Sequence, residues 1–193
     1  MRWMLPCIAL VMVPSLAFAH PGIGSPESFA TGIAHPFIGV DHVTAILAVG
    51  LWAALKGHRA VCVWPATFVG MTFVGGALGM AHLAMPFVDP GILASVIVMG
   101  LLVVFAVDLP VAAGAAIIGV VALLHGHAHG SEVPETVNGI LFMAGLGLAT
   151  AALLGFGIEF ALPARRILSG FPIRIAGGAC VVVGVGLACG ALA

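Results

Sequence analysis

Long apolar runs, separated by short polar or proline-containing breaks, make up most of this chain. Most of these runs approach the roughly 20 residues that an α-helix needs to cross the apolar core of a bilayer. They lack the alternation of apolar and polar residues that marks the strands of a membrane β-barrel. The pattern therefore predicts an all-α fold, a polytopic bundle of membrane helices. The six predicted spans are Pro36–Leu55, Ala60–Ala84, Gly91–Val107, Val111–Ala128, Glu135–Leu162 and Ile173–Ala191.

The first 19 residues have the pattern of a secretory signal peptide rather than of a seventh span. Arg2 supplies a short positive region, Trp3–Leu16 is apolar, and Ala17-Phe18-Ala19 is an A-x-A cleavage site. Prolines interrupt the apolar stretch, which disfavours a retained membrane helix. We expect cleavage before His20, so that residues 20–34 form a short external lead-in and residues 20–193 form one transmembrane domain.

Composition supports a membrane protein and excludes several other classes. Hydrophobic residues make up 62% of the chain and charged residues only 7%, with a mean hydropathy of +1.27. A soluble domain carries roughly 25% charged residues, so the lipid bilayer is the expected surrounding. The net charge of −1 offers no basic surface for nucleic acid. The four cysteines form no CxxC pair, which argues against a thiolate zinc site or a disulfide framework.

The basic residues predict the orientation. With a cleaved leader and six spans, every basic residue of the mature chain falls in a cytoplasmic loop, as the positive-inside rule requires. These residues are Lys56, Arg59, Arg165, Arg166 and Arg174. The chain is therefore predicted to lie in a bacterial inner membrane with its mature N-terminus in the periplasm.

This orientation places seven of the eight histidines on the periplasmic side, leaving only His58 in the cytoplasm. Imidazole is the commonest metal-binding side chain, and this is the side from which an imported ion arrives. The seven are His20, His35, His42, His82, His125, His127 and His129.

The first candidate metal motif is His35-x5-Asp41-His42, at the start of the first span. An aspartate in a membrane helix costs about 2.5–3.5 kcal/mol at the centre and is kept for a partner, a cavity or an ion. On one continuous helix His35 and His42 would lie about 10 Å apart along the axis, too far for easy chelation of one ion. We therefore predict His35 as a ligand at the mouth and Asp41 with His42 as a deeper pair, with Gly39 as a point where the helix bends.

The second candidate motif runs from His125 to Glu132 at the external end of the fourth span. On a helix His125 and His129 are four residues apart and share a face, whereas on an extended segment His127 would join them. Both geometries give a multi-ligand site of nitrogen and oxygen atoms. A loop that binds metal only adventitiously is the alternative.

Weaker candidates are His20, His82 and Asp89, all on the predicted external side. Imidazole with carboxylate suits Ni²⁺, Co²⁺, Zn²⁺ or Fe²⁺, and the scattered methionines argue against a copper(I) path. The chain lacks the GxxxxGK[ST] loop that binds ATP phosphates.

At these two motifs the sequence resembles the HupE/UreJ family of nickel/cobalt permeases. The family's H-x5-DH motif corresponds to His35, Asp41 and His42, and its FHGxAxGxE motif corresponds to residues 125–132, with Leu124 in place of the phenylalanine. Asp89 stands where family members tend to carry a glutamate, which shortens the reach by one methylene. The resemblance covers essentially the whole chain.

The resemblance implies uptake of Ni²⁺, in some members Co²⁺, as a transported ion rather than a bound cofactor. We therefore predict a non-enzymatic importer. The alternatives are a membrane metal-binding accessory that transports nothing, and an electron carrier with a haem held by two histidines. A metalloenzyme is disfavoured because the chain has no HExxH motif.

Overall fold

A computed structural model describes residues 26–134, 136–167 and 170–190 of the chain. Within these ranges the structure has seven α-helices and no β-strand, which confirms the all-α prediction. The predicted leader and His20 lie outside the described residues. The helices are α1 (Pro26–Ala34), α2 (Val40–Lys56), α3 (Ala60–Met80), α4 (Val88–Val104), α5 (Val111–Ser131), α6 (Gly139–Ile167) and α7 (Phe171–Ala188).

Four of these helices, α3, α5, α6 and α7, are long and apolar enough to cross a membrane. The consecutive helices α1 and α2 meet at an angle of 79° and add a fifth span if the bent pair crosses as one. The apolar helix α4 has 17 residues and is shorter than the others. The described part of the chain is therefore a helical membrane protein with four candidate spans, or five if the bent pair crosses as one.

Residues 20–34 were predicted to form a short external lead-in, and no helix was predicted there. Instead, Pro26–Ala34 is helical and packs along α6. The backbones approach closely at glycines, since a Cβ on Gly32 would overlap the Phe142 carbonyl and one on Gly145 would overlap the Phe29 carbonyl. Helix α1 is stabilised by this tertiary contact, which a short segment read alone does not reveal.

The end of the fifth predicted span also differs. We expected Pro163 to end the helix at Leu162, but α6 continues to Ile167 with Pro163 inside it. Proline removes one backbone hydrogen bond, and membrane helices tolerate that loss because neighbouring groups can take over the freed carbonyl.

Helices α3 and α5 form the most extensive contact of the bundle, and glycines bring their backbones together. A Cβ on Gly126 would overlap the Thr72 carbonyl, and one on Gly79 would overlap the His127 carbonyl. Small residues at such spacing allow close packing in lipid, where no hydrophobic force drives helices together. This contact fixes the position of the histidine-bearing end of α5.

The opposite end of the bundle is closed by two tryptophans. The rings of Trp52 and Trp64 are fully buried and lie 4.2 Å apart between centroids. Each indole N–H donates to a backbone carbonyl, Trp52 to Val107 at 2.8 Å and Trp64 to Val111 at 2.9 Å. We call this the tryptophan end, and the end that carries His35 and Glu132 the histidine end.

Candidate metal centre

The histidine end is shaped by a break between α1 and α2. His35-Pro36-Phe37 forms one turn of 3₁₀ helix, and Gly39 is extended, with φ −96° and ψ 118°, before α2 begins at Val40. The bend predicted at Gly39 is thus present. It invalidates the distance expected for one continuous helix, because His35 and His42 no longer lie on a common axis.

Four imidazole rings from three segments meet at this break. The His129 ring lies 4.8 Å from that of His35 and 4.2 Å from that of His42, measured between centroids. The His42 ring in turn lies 4.7 Å from that of His125. We call these four residues the histidine cluster. The two sequence motifs, separated by more than 80 residues, are therefore in contact in the fold.

The cluster runs from the surface of the bundle into its interior. At the outer end Glu132, whose side chain is 58% exposed, accepts a hydrogen bond from His35 Nε2 at 3.1 Å. At the inner end the His125 side chain is buried, with only 2% exposure. One ligand atom from each of His35, His129 and Glu132 lies within 4.8 Å of the others, close enough for a small movement to place all three around one ion.

Asp41 orients His42 rather than standing apart from it. His42 Nδ1 donates to Asp41 Oδ1 at 2.9 Å, so the lone pair of the neutral ring is on Nε2. That Nε2 is buried and has no hydrogen-bond partner among the described residues. A carboxylate that fixes the outer nitrogen of a histidine is the common support of a metal-binding imidazole. Gly39 makes room for this pair, because a Cβ there would stand 2.6 Å from Asp41 Oδ1.

Two further imidazoles of the histidine cluster also have a buried ring nitrogen. His125 Nδ1 and His129 Nδ1 are enclosed and lack a hydrogen-bond partner within the described part of the chain. Buried polar atoms are nearly always paired, so such exceptions require an explanation. A cation with nitrogen ligands would give such unpaired ring nitrogens a partner.

His127 lies outside the cluster. Since α5 stays helical to Ser131, His127 is rotated by about 200° from His125. Its Nε2 donates to the Leu83 carbonyl at 2.8 Å, beside α3, and its Nδ1 is also buried without a hydrogen-bond partner among the described residues. Of the two geometries left open by the sequence, the structure has the helical one, in which His125 and His129 share a face without His127.

The weaker candidates are not drawn into the cluster. His82 and Asp89 are exposed, in the connection after α3 and in the first turn of α4. Neither forms a hydrogen bond or ion pair with the four histidines in the described ranges. One further contact, between His125 and the buried Ser95 of α4 at 2.9 Å, was not predicted from the sequence. A lone serine in an otherwise apolar span was the available signal.

Charge is separated between the two ends. The histidine end carries the carboxyl groups of Asp41 and Glu132. At the tryptophan end Lys56 pairs with Asp108, Arg165 donates to the Ala54 carbonyl, and Arg174 donates to the Val104 carbonyl. Two carboxylates with neutral imidazoles would balance a divalent cation in a region of low dielectric, where an unbalanced charge is costly.

The fold and site define a polytopic helical membrane protein with a buried cluster of imidazole and carboxylate groups between its helices. The chain belongs to the HupE/UreJ family, whose model, described as HupE / UreJ protein, matches residues 8–187. It is 39% identical over 183 residues to the Protein HupE of Rhizobium leguminosarum bv. viciae, with 95% of each chain covered. No solved structure matches the chain. The family resemblance seen in the two motifs is thereby confirmed.

Proposed function

We propose that this protein imports a divalent transition-metal ion, Ni²⁺ or Co²⁺, across the bacterial inner membrane. The observation that carries the proposal is the histidine cluster. Four imidazoles and two carboxyl groups converge at one end of the bundle, and three of the ring nitrogens are buried without a partner. Nitrogen and oxygen ligands of this kind suit Ni²⁺ and Co²⁺. Membership in a family of nickel/cobalt permeases supports the choice.

The proposed path begins at Glu132 and His35, which capture the ion at the surface, and continues through His129 and His42 to His125. Exposure supports this order, since Glu132 is largely exposed and His125 is buried. His127, directed at the Leu83 carbonyl, supports α5 rather than binding the ion in this scheme. Beyond His125 the core is apolar and tightly packed, so release toward the tryptophan end requires the helices to move apart.

The proposed topology has six spans after a cleaved leader, with the histidine end in the periplasm. The 17 residues of α4 are at the short end of the range for a membrane helix. Lys56, Arg165 and Arg174 then face the cytoplasm. In this orientation an inside-negative potential favours entry of a divalent cation by about 4.6 kcal/mol per 100 mV, so facilitated diffusion or secondary transport suffices without ATP.

The geometry disfavours a haem carrier and leaves the accessory protein as the rival. In a bis-histidine haem a porphyrin must lie between the two imidazoles, whereas these rings are already in contact at 4.2–4.8 Å between centroids. An accessory protein would bind the same ions but would not move them across the membrane.

Flux through liposomes tests the proposal. The full-length protein is reconstituted with a metal-sensitive dye inside, and Ni²⁺, Co²⁺ or Zn²⁺ is added outside under an inside-negative potassium potential. We expect influx of Ni²⁺ or Co²⁺ that Asp41→Ala abolishes and His58→Ala, a change of an exposed histidine at the tryptophan end, leaves intact. Influx no faster than in empty liposomes would favour the accessory role, and wild-type influx through Asp41→Ala would refute the path.

A further inference from the structure

Ser95 lies at the inner end of the histidine cluster, on a helix that carries neither sequence motif. It belongs to α4, is 4% exposed, and its Oγ lies 2.9 Å from Nε2 of His125. The same Oγ lies 2.6 Å from the backbone carbonyl oxygen of Ile92, one turn earlier. Ser95 therefore contacts a carbonyl and an imidazole simultaneously.

The single hydroxyl hydrogen decides which groups donate. A carbonyl oxygen only accepts, so in the contact with Ile92 the hydroxyl of Ser95 is the donor. Its hydrogen is then used, and in the contact with His125 the hydroxyl oxygen accepts from Nε2–H. A neutral imidazole carries one ring hydrogen, so Nδ1 of His125 is left with its lone pair.

This assignment explains the unpaired nitrogen of His125. With the hydrogen on Nε2, the buried Nδ1 has a lone pair and no hydrogen-bond donor among the described residues. The opposite tautomer would bury an N–H without an acceptor and would leave nothing with which to hold a cation. Asp41 acts on His42 in the corresponding way, through a carboxylate instead of a hydroxyl.

We propose that Ser95 is a positioning residue for metal binding, which fixes the His125 tautomer so that Nδ1 binds the transported ion. The proposal rests on the proposed function for the identity of the ion. The new part is the assignment of the innermost ligand atom, Nδ1 of His125, and of Ser95 as the residue that fixes the tautomer of that ring. Because the hydroxyl is neutral, Ser95 fixes the His125 tautomer without adding a third carboxylate to the two, Asp41 and Glu132, that already lie beside the histidine cluster.

The first test observes the tautomer in the metal-free, full-length protein. Nitrogen-15 NMR of labelled histidines in detergent micelles distinguishes protonated from unprotonated ring nitrogens, and the His125→Gln spectrum identifies the His125 signals. We expect a protonated Nε2 and an unprotonated Nδ1 in the wild type and in Ser95→Thr, and a mixture of both tautomers in Ser95→Ala. A wild-type ring protonated at Nδ1, or a Ser95→Ala ring with unchanged tautomer, would overturn the proposal.

The second test measures binding of Co²⁺ by competition with a chromophoric chelator. Loss of an outer partner of a metal-bound histidine typically weakens binding about 10–100-fold, and we expect this loss for Ser95→Ala with recovery in Ser95→Thr. Thr72→Val is the matched control, because Thr72 is buried and its hydroxyl donates to the Phe68 carbonyl rather than to a histidine, while the isosteric change keeps the shape of the side chain. It should bind within about twofold of the wild type.

The two tests separate this inference from the proposed function. If the wild type moves no metal in liposomes while Ser95→Ala still alters the His125 tautomer, the transport proposal fails and the assignment of the tautomer stands. If transport is observed but Ser95→Ala binds Co²⁺ as tightly as the wild type, only the role of Ser95 is refuted.

Discussion

The histidine end and the tryptophan end of the bundle both bury nitrogen-bearing rings, but they treat those nitrogens in opposite ways. At the tryptophan end the indole N–H groups of Trp52 and Trp64 each donate to a backbone carbonyl. At the histidine end His42, His125 and His129 of the cluster, and His127 beside it, each have a buried ring nitrogen without a partner among the described residues. Satisfied groups hold helices together, whereas unsatisfied ones cost free energy unless a ligand arrives. The difference identifies the histidine end as the candidate binding site and the tryptophan end as the packed end that closes the bundle.

The largest expected effect comes from removing a ring of the cluster. His125→Ala should weaken Co²⁺ binding by about 100-fold or more, because a direct ligand matters at least as much as the outer partners of a ligand. Titration of the purified full-length protein against a competing chelator measures this, and a circular dichroism spectrum like that of the wild type shows that the helices are retained.

The control for that prediction is His58→Ala, at the tryptophan end, which should bind as the wild type does. His127→Ala sharpens the comparison along α5 itself, since its ring faces Leu83 rather than the cluster. A loss of affinity in His127→Ala as large as in His125→Ala would show that the two faces of α5 were assigned incorrectly.

A second prediction concerns Gly126, which holds α5 against α3. A Cβ at Gly126 would overlap the Thr72 carbonyl, so Gly126→Ala forces the backbones apart. We expect a loss of about 1–3 kcal/mol of stability, as for other overpacked sites, together with weaker metal binding because His125 and His129 move with the helix. Thermal unfolding followed by circular dichroism, with a metal titration, measures both.

Gly155→Ala is the matched control, because a Cβ at Gly155 meets no atom within 4 Å. Alanine favours a helix over glycine by up to about 1 kcal/mol, so this variant should be as stable as the wild type or more so. Equal behaviour of the two variants would mean that the close approach at Gly126 does not position the site.

A third prediction probes the tryptophan end. Trp52→Phe keeps a buried aromatic ring but removes the N–H that donates to the Val107 carbonyl. The loss of a hydrogen bond of this kind costs about 1 kcal/mol, which should appear as a lower melting temperature with unchanged Co²⁺ affinity. A tenfold loss of Co²⁺ affinity would contradict the assignment of a structural role to the tryptophan end and of metal binding to the histidine end.

The smallest effect is expected for the ion pair between Lys56 and Asp108. The Asp108 side chain is 78% exposed, and exposed pairs contribute about 0–1 kcal/mol. A double-mutant cycle with Lys56→Met and Asp108→Asn should therefore give a coupling energy below about 1 kcal/mol. A larger coupling energy would show that the ion pair stabilises the tryptophan end as well as the two buried tryptophans do.

The structure agrees with the sequence predictions where the physical requirement is local. Apolar runs, the glycine at position 39 and the cost of Asp41 in lipid are properties of short segments. They predicted the helices and the bend at Gly39, and they pointed to the histidine motifs that the structure brings together. The features that were not predicted depend on contacts with other parts of the fold. The helicity of α1 depends on its contact with α6, and the continuation of α6 past Pro163 depends on surroundings that tolerate a lost hydrogen bond.

The sequence by itself determined that this chain is a helical membrane protein with two motifs rich in histidine and carboxylate, because hydropathy and residue type can be read without coordinates. Only the tertiary structure decided that His35, His42, His125 and His129 form one cluster, that His127 does not join them, and that Ser95 does. Which residues meet depends on the bend at Gly39 and on the glycine contact between α3 and α5. These contacts set distances between segments far apart in the chain, and no local pattern encodes such a distance.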